Sequence, residues 1–400
     1  MPNTVVYYDS QETGAPVMDN AAGSVIALLD ACLITGFGNK AVTSISVAAG
    51  MATVVCAGHG FADGRMVDHA GATPSALNGR AKITVVDVNT YRFPTAAADG
   101  AASGTITAKR SPLGWTKAFS GTNKAIYART DVEATGAMFR VEDTRASPAS
   151  ATSAYTTMVE SATGVDALGP AASSSTIEKG ADTTAAKRWV LVGDSRTFYL
   201  FTEHSSNTYS STGVLCAVAA FGEVKSFRAG DAWRSFSMGF REALCPRYLT
   251  GNSFSSSNFR LARSAGGIQQ NVSGVLIGYE SNGGGLGSDL NPFGYNDPSA
   301  IPGNVKFIPR FPSPVDGGFA VQYPIPVLER NDGIGHAVRG VMPGLAAPLA
   351  AIGSSLIGEF FFGRRLPGVA GTDRDFLAVS YGTANVRYGC ILIDITGPWQ

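Results

Sequence analysis

TSISVAAGMATVVCAGHGFADGRMVDHAGATPSALNGRAKITVVDVNTYRFPTAAADGAASGTITAK, residues 43–109, decides the fold class. Short β-rich runs alternate there with tight turns at close, even spacing: 51–56 (MATVVC), 65–70 (RMVDHA), 81–86 (AKITVV), 90–93 (TYRF) and 104–108 (GTITA). Val, Ile and Thr at every second position fit a pleated surface with one face buried. Asn78-Gly79 and Asp63-Gly64 supply the positive-φ positions of tight turns. Several short strands without a helical period predict a small barrel or sandwich.

The same run carries Gly50, Thr53, Val54, Gly58, His59, Gly60, Phe61, Gly64, Val67, Gly71, Pro74, Asn78, Gly79, Thr84, Val85, Val88, Thr90, Tyr91 and Phe93. In that pattern it resembles the small β-barrel module inserted into virion proteins of tailed bacteriophages. It is also similar to a small barrel of ubiquitin-activating enzymes. The resemblance implies a scaffold that performs no reaction.

On either side the chain reads as β-rich. VVYY (5–8) is an opening strand, and Val25, Leu28, Leu29, Cys32 and Leu33 recur at helical steps, predicting a helix over about 23–35 that ends at Gly36. Asp30 on that helix reads as a solvated position. SPLGWTK (111–117) resumes the thread broken off at Phe37-Gly38. The expected organisation is therefore a module at 43–110 inserted into a body formed by 1–42 plus 111–400. NKAIYART, AMFRVEDT and AYTTMVES predict strands, and 164–186 predicts a long surface loop. KRWVLVGDSRTFYLFTE (187–203) is the clearest hairpin, two apolar runs around Gly193-Asp194-Ser195-Arg196. GVLCAVAAFGEVKSF (213–227) reads as a strand pair hinged at Phe221-Gly222, with helix the alternative for its first half. The Gly- and Ser-rich run 247–316 reads as irregular loops ordered by a partner, with one strand at 272–280. Pro324 and Pro326 confine 318–329 to a sheet edge. Strands follow at 359–363, 375–381 and 388–396, and Trp399 is expected to tuck onto the body.

Composition narrows function by class. Lys plus Arg and Asp plus Glu are 31 each, so no net field draws the protein to nucleic acid or an anionic membrane. Only 16% of residues are charged, against about a quarter ordinarily, while 48 Gly and 20 Pro favour turns and β architecture. The cysteines (Cys32, Cys56, Cys216, Cys245, Cys390) lack zinc-ligand spacing and read as buried thiols kept reduced. The start MPNTVVYYDS has no signal-peptide pattern, and no apolar run is long enough to span a membrane, so a soluble protein of the cytoplasm is expected.

The candidates for chemistry are few. Gly193-Asp194-Ser195 is similar to the GDS block of certain esterases, but neither His204 nor His336 lies in a partner setting, so the residues read as a turn. His59 and His69 form an imaginable metal pair that no Cys or carboxylate completes, because Cys56 and Asp68 alternate to other faces. The Gly-rich run GGGLG (283–287) lacks the Lys-Ser/Thr of a phosphate loop. Lys109-Arg110 and Arg364-Arg365 read as solvated or interfacial basic pairs. No catalytic residue, cofactor or metal is expected, and the protein is not expected to be an enzyme.

Tyr8–Phe37, Gly114–Tyr127, Phe139–Thr144, Trp189–Phe201, Phe221–Ala232, Arg339–Leu345 and Ile391–Trp399 resemble, together, a virion structural protein of tailed phages. That resemblance implies a mainly β subunit at the tail tip or baseplate, assembled in the host cytoplasm into the virion, with copies of itself and neighbouring virion proteins as partners. A capsid-decorating or head-fibre protein, a host-surface glycan-binding module and a GDS-type esterase are the alternative readings. Neither nucleic-acid binding nor membrane insertion is expected.

Overall fold

The computed structural model describes residues 4–144, 153–172, 174–179, 185–203, 215–239, 259–264, 267–268, 321–331, 335–348, 362–366, 374–383 and 386–399. Strand β1 (Val6–Asp9) leads into α1 (Ser24–Leu29), which runs on as a turn of π-helix over Asp30–Thr35. The predicted apolar stripe is buried, and the Gly36 amide closes the wide turn on the Ala31 carbonyl at 2.9 Å. Gly36 has φ 73°, and a Cβ there would stand 2.2 Å from the Arg110 carbonyl oxygen, so only glycine ends the helix this way. Gly23 offers no side-chain cap at the other end; the Asp143 carboxylate accepts the Val25 amide at 2.9 Å instead.

The next nine strands are β2 (Phe37–Ala41), β3 (Ser44–Ala48), β4 (Met51–Val55), β5 (Met66–Ala70), β6 (Gly79–Lys82), β7 (Thr84–Asp87), β8 (Thr90–Pro94), β9 (Gly100–Ala101) and β10 (Thr107–Arg110). They form two open sheets, in the orders β2-β10-β5-β6 and β7-β8-β4-β3-β9. Alternation puts Ile45, Val47, Ala52, Val54, Tyr91 and Phe93 into a core drawn wholly from residues 45–108. Both sheets are open, so the closed barrel that the resemblance implies is not formed. The module's first strand starts at Phe37, ahead of the expected boundary, and pairs with its last, Phe37 opposite Arg110. Asn78 is extended rather than left-handed; its amide brackets Ala72 with two 2.8 Å hydrogen bonds and leaves the positive φ to Gly79 alone.

Beyond the module the chain returns to where it left. The amides of Leu113, Gly114 and Trp115 donate to the carbonyls of Cys32 and Leu33 at 2.8–2.9 Å. Strands β11 (Thr116–Gly121), β12 (Lys124–Ala128), β13 (Met138–Glu142), β14 (Ser153–Val159) and β15 (Ser175–Glu178) form one sheet in chain order. The stretch expected to be a long surface loop thus supplies a strand, β15, with Ile177 and Glu178 buried. Strands β16 (Trp189–Gly193), β17 (Phe198–Glu203), β18 (Leu215–Glu223), β20 (Ser235–Gly239) and β21 (Phe259–Leu261) join β1 in a sheet ordered β1-β16-β17-β18-β20-β21, with a short strand β19 (Lys225–Ser226) after β18. The expected hairpin is β16 and β17. The expected hinge is absent: β18 runs straight through Phe221-Gly222, where Gly222 allows Thr197 to approach.

This six-stranded sheet is covered on both faces, which is why its strands read as continuous apolar runs. Trp189, Leu191, Phe198, Leu200 and Phe221 face α1 and the β11–β15 sheet. Val190, Val192, Tyr199, Phe201, Phe236 and Met238 face the C-terminal strands. Burying each large side chain contributes roughly 1.5–3 kcal/mol, so alternation alone locks the register.

The remaining strands are β22 (Arg263–Ser264), β23 (Gly267–Ile268), β24 (Val321–Gln322), β25 (Ile325–Asn331), β26 (Gly335–Met342), β27 (Leu345–Pro348), β28 (Phe362–Leu366), β29 (Phe376–Thr383) and β30 (Val386–Asp394). They make a β22-β23 pair and sheets ordered β19-β26-β25 and β24-β27-β30-β29-β28. Pro326 lies on an edge strand, as its missing amide requires. Trp399 is buried, its indole N–H donating to the Asp394 carbonyl at 2.9 Å. Residues 272–280, GGGLG, most of 247–316 and His204 lie outside the described residues, as do the side chains of Cys216, Cys245, His336, Arg364, Arg365 and Cys390. Among the described residues, no helix is long and apolar enough to cross a membrane.

Candidate functional site

The Gly193–Arg196 turn, the one place where the sequence offers a nucleophile, is built from side chains. Asp194 Oδ1 accepts the amides of Arg196 and Thr197, both at 2.8 Å, closing the turn. The Asp194 carbonyl accepts the Trp115 indole N–H at 3.0 Å. Its side chain is fully buried and Oδ2 meets no donor. Burial pushes its carboxyl up to about 6 against the pull of the two amides.

Ser195 points elsewhere. Its hydroxyl donates to Asp131 Oδ2 at 2.8 Å, an oxygen that also lies 3.0 Å from Arg196 Nε. Burial would raise Asp131, but Arg196, the Glu133 amide and Ser195 outweigh it and hold the carboxyl below its usual value. A carboxylate so held is a weak base, and a serine that donates to it gains little nucleophilicity. Arg196 also pairs with Glu133. The arrangement braces the hairpin turn against the connection from β12 to β13.

The brace continues inward. Glu223 is fully buried between Arg129 (3.1 Å) and Arg234 (2.7 Å), and accepts the Thr135 amide at 2.5 Å. Arg129 donates to the carbonyls of Thr135 and Ala137 and lies 4.9 Å above the Phe221 ring. Its burial lowers it to about 10, opposed by Glu223, so it stays cationic. Asp231 and Arg339 form a buried two-pronged pair with both distances 2.5 Å. That pair pins a loop, 227–234, that presents Phe227 (65% exposed) and Trp233 (38%). Arg263 lies over the Trp233 ring at 3.4 Å and grips Glu160.

No protein-family model matches the chain, and no curated protein matches it.

The other sequence candidates, His59 and His69, pack against the same Tyr91 ring, with centroids 5.2 and 5.7 Å from it. His59 accepts the Phe61 amide on Nδ1 and donates from Nε2 to the Asp87 carbonyl, both at 3.0 Å, so both ring nitrogens are engaged. His69 Nε2 lies 2.9 Å from the Tyr91 hydroxyl; burial, opposed by the Gly79 backbone, holds it down at about 4. Cys56 donates to the Ala41 carbonyl, and burial raises the thiols of Cys32 and Cys56, both free. Among the described residues, no three His, Cys, Asp or Glu side chains converge as metal ligands.

One expectation fails here. Asp30 is not a free solvated acid: it accepts Lys117 Nζ at 2.5 Å and the Tyr127 hydroxyl at 2.9 Å. Arg110, read as solvated or interfacial, is not solvated: it is 1% exposed and reaches from β10 to β1 and β5. It reaches Glu12 at 2.5 Å, the Tyr7 carbonyl at 2.6 Å and the Met66 carbonyl. Arg65 stacks 3.5 Å over Tyr7 beside it and lines a cleft of about 210 Å³ with Lys82, Asp63 and Ile395. The only trace of these sites in the sequence is a charged residue set within an apolar strand, as in FGEVKSF.

Proposed function

We propose that the chain is a structural subunit of a tailed-phage virion, placed at the tail tip or baseplate and working by multivalent assembly. The motifs from Tyr8–Phe37 to Ile391–Trp399 that resemble phage virion proteins support this reading. The structural observation that carries it is a set of open sheets whose outer strands have one neighbour each among the described residues. β11 is one such strand: six residues, four exposed, paired only with β12 among the described residues. A bare edge is a template for another chain, and neighbouring subunits in a particle complete such edges. The pinned loop bearing Phe227 and Trp233 adds an ordered apolar contact at low entropic cost.

Mass spectrometry of purified particles, with labelled electron microscopy, tests the proposal and separates tail from head. A tail location at fixed copy number is expected. A head location would favour the capsid-decorating reading.

A further inference from the structure

The module's core is drawn from residues 45–108 alone, and His69 stands inside it, 2% exposed. Along its own sheet His69 lies opposite Ala108 of β10 and Gly79 of β6, and Asp68 beside it alternates to the other side of β5. From the facing sheet its ring stacks on Phe93, with centroids 4.7 Å apart, and tilts against Tyr91. The titratable groups around it are the Tyr91 hydroxyl, 2.9 Å from Nε2, then Cys56, which acts on Tyr91, and His59, packed on the same Tyr91 ring. Among the described residues, no carboxylate or cation acts on the imidazole, and its Nδ1 is enclosed without a hydrogen-bond partner. An imidazolium donates from both nitrogens. Here only Nε2 has an oxygen to donate to, so the closed module accommodates the neutral ring and rejects the charged one.

We propose that His69 is an acid-released latch: acidification opens the module at this ring while the body stays folded. Burial holds His69 at about 4 against 6.5 in the open chain, so the open module takes up a proton that the closed one refuses. The neutral ring favours the closed module in full above pH 6.5, and that preference is lost as pH falls from 6.5 towards 4. Asp194 gives the body the opposite sign. Raised to about 6 from 3.8, its carboxyl favours the folded body more strongly as pH falls through the same range. Asp131 and Asp231 are held below 3.8, so the stability they give is lost chiefly below the window. One acid step therefore loosens the module and tightens the body. The latch is a property of the chain itself and does not rest on the assembly reading.

Hydrogen exchange of the full chain tests this, read peptide by peptide by mass spectrometry and corrected for the intrinsic pH dependence of amide exchange. From pH 7.5 to pH 4.5 the opening equilibrium of peptides within 45–93 should rise about seventyfold. Peptides covering β12, β13, β16 and β17 should open no more often. The four tryptophans, Trp115, Trp189, Trp233 and Trp399, all lie in the body, and their fluorescence should not change over that range. His69→Phe keeps a ring to stack on Phe93, and His69→Gln keeps a polar group for Tyr91. Whatever the baseline stability of either variant, the pH response of its module should vanish. A module whose opening is independent of pH in the wild type, or depends on it equally in both variants, would overturn the latch. Body peptides that open in step with the module would overturn the separate response of the two.

Discussion

Arg110 and Glu12 are 98 residues apart in the chain and 2.5 Å apart in the fold, with Arg110 1% exposed. The same guanidinium reaches Met66 in the module and Tyr7 in the body, so one side chain fastens the two together. Glu12 keeps Arg65 at 3.3 Å when Arg110 is removed, so the loss is that of the charged hydrogen bonds Arg110 makes, about 1.5–3 kcal/mol. Arg110→Met should lower the unfolding free energy by about that amount in urea denaturation. A change under about 1 kcal/mol would mean the contact behaves as a surface pair.

Asp194 predicts a pH dependence of definite sign. Its folded-state value of about 6 lies above the ordinary 3.8, so the folded protein holds a proton that the unfolded chain releases. Its contribution is most favourable below pH 3.8 and is lost as pH rises through 6, amounting to roughly 3 kcal/mol at neutral pH. Asp194→Asn keeps an Oδ1 acceptor for the Arg196 and Thr197 amides. The difference in urea midpoint between wild type and variant should therefore grow in favour of the variant from pH 4.5 to 7.5.

Ser195→Ala removes one hydrogen bond to Asp131 and should cost about 1 kcal/mol. The assembly reading expects wild type and variant to hydrolyse a p-nitrophenyl ester alike, at the background rate. Turnover by the wild type that vanishes in the variant would restore the esterase reading.

The side-by-side pairing of β2 and β10 predicts that the module is removable. Joining Ala41 to Thr107 through a two-residue turn should leave a body with wild-type β content by circular dichroism and cooperative melting, somewhat destabilised by the loss of Met66 and Arg65 contacts. A body that fails to fold would show that module and body fold as one unit.

What could be read from the sequence followed how local its cause was. The β16–β17 hairpin was legible because two apolar runs flank the Gly193–Arg196 turn, and the module because its inward residues recur at every second position. β15 was hidden: Ser175, Thr176 and Glu178 look like loop residues, and only pairing with β14 makes them a strand. Arg110 read as solvated or interfacial, and nothing near it in sequence announces Glu12. The central sheet was obscure for the same reason, since its strands come from residues 6 to 261 and their order is set by packing on two faces. The turn chemistry of Asp194 was visible, whereas the Asp131 that claims Ser195 lies 64 residues earlier.

Quantitative mass spectrometry of purified infectious particles, paired with electron microscopy of particles carrying a labelled copy of this chain, bears most directly on the claim that its edges exist to be completed by neighbours. The account predicts a constant number of copies per particle, with the label at the tail tip or baseplate. Particles that are fully infectious and contain none of the chain would contradict it.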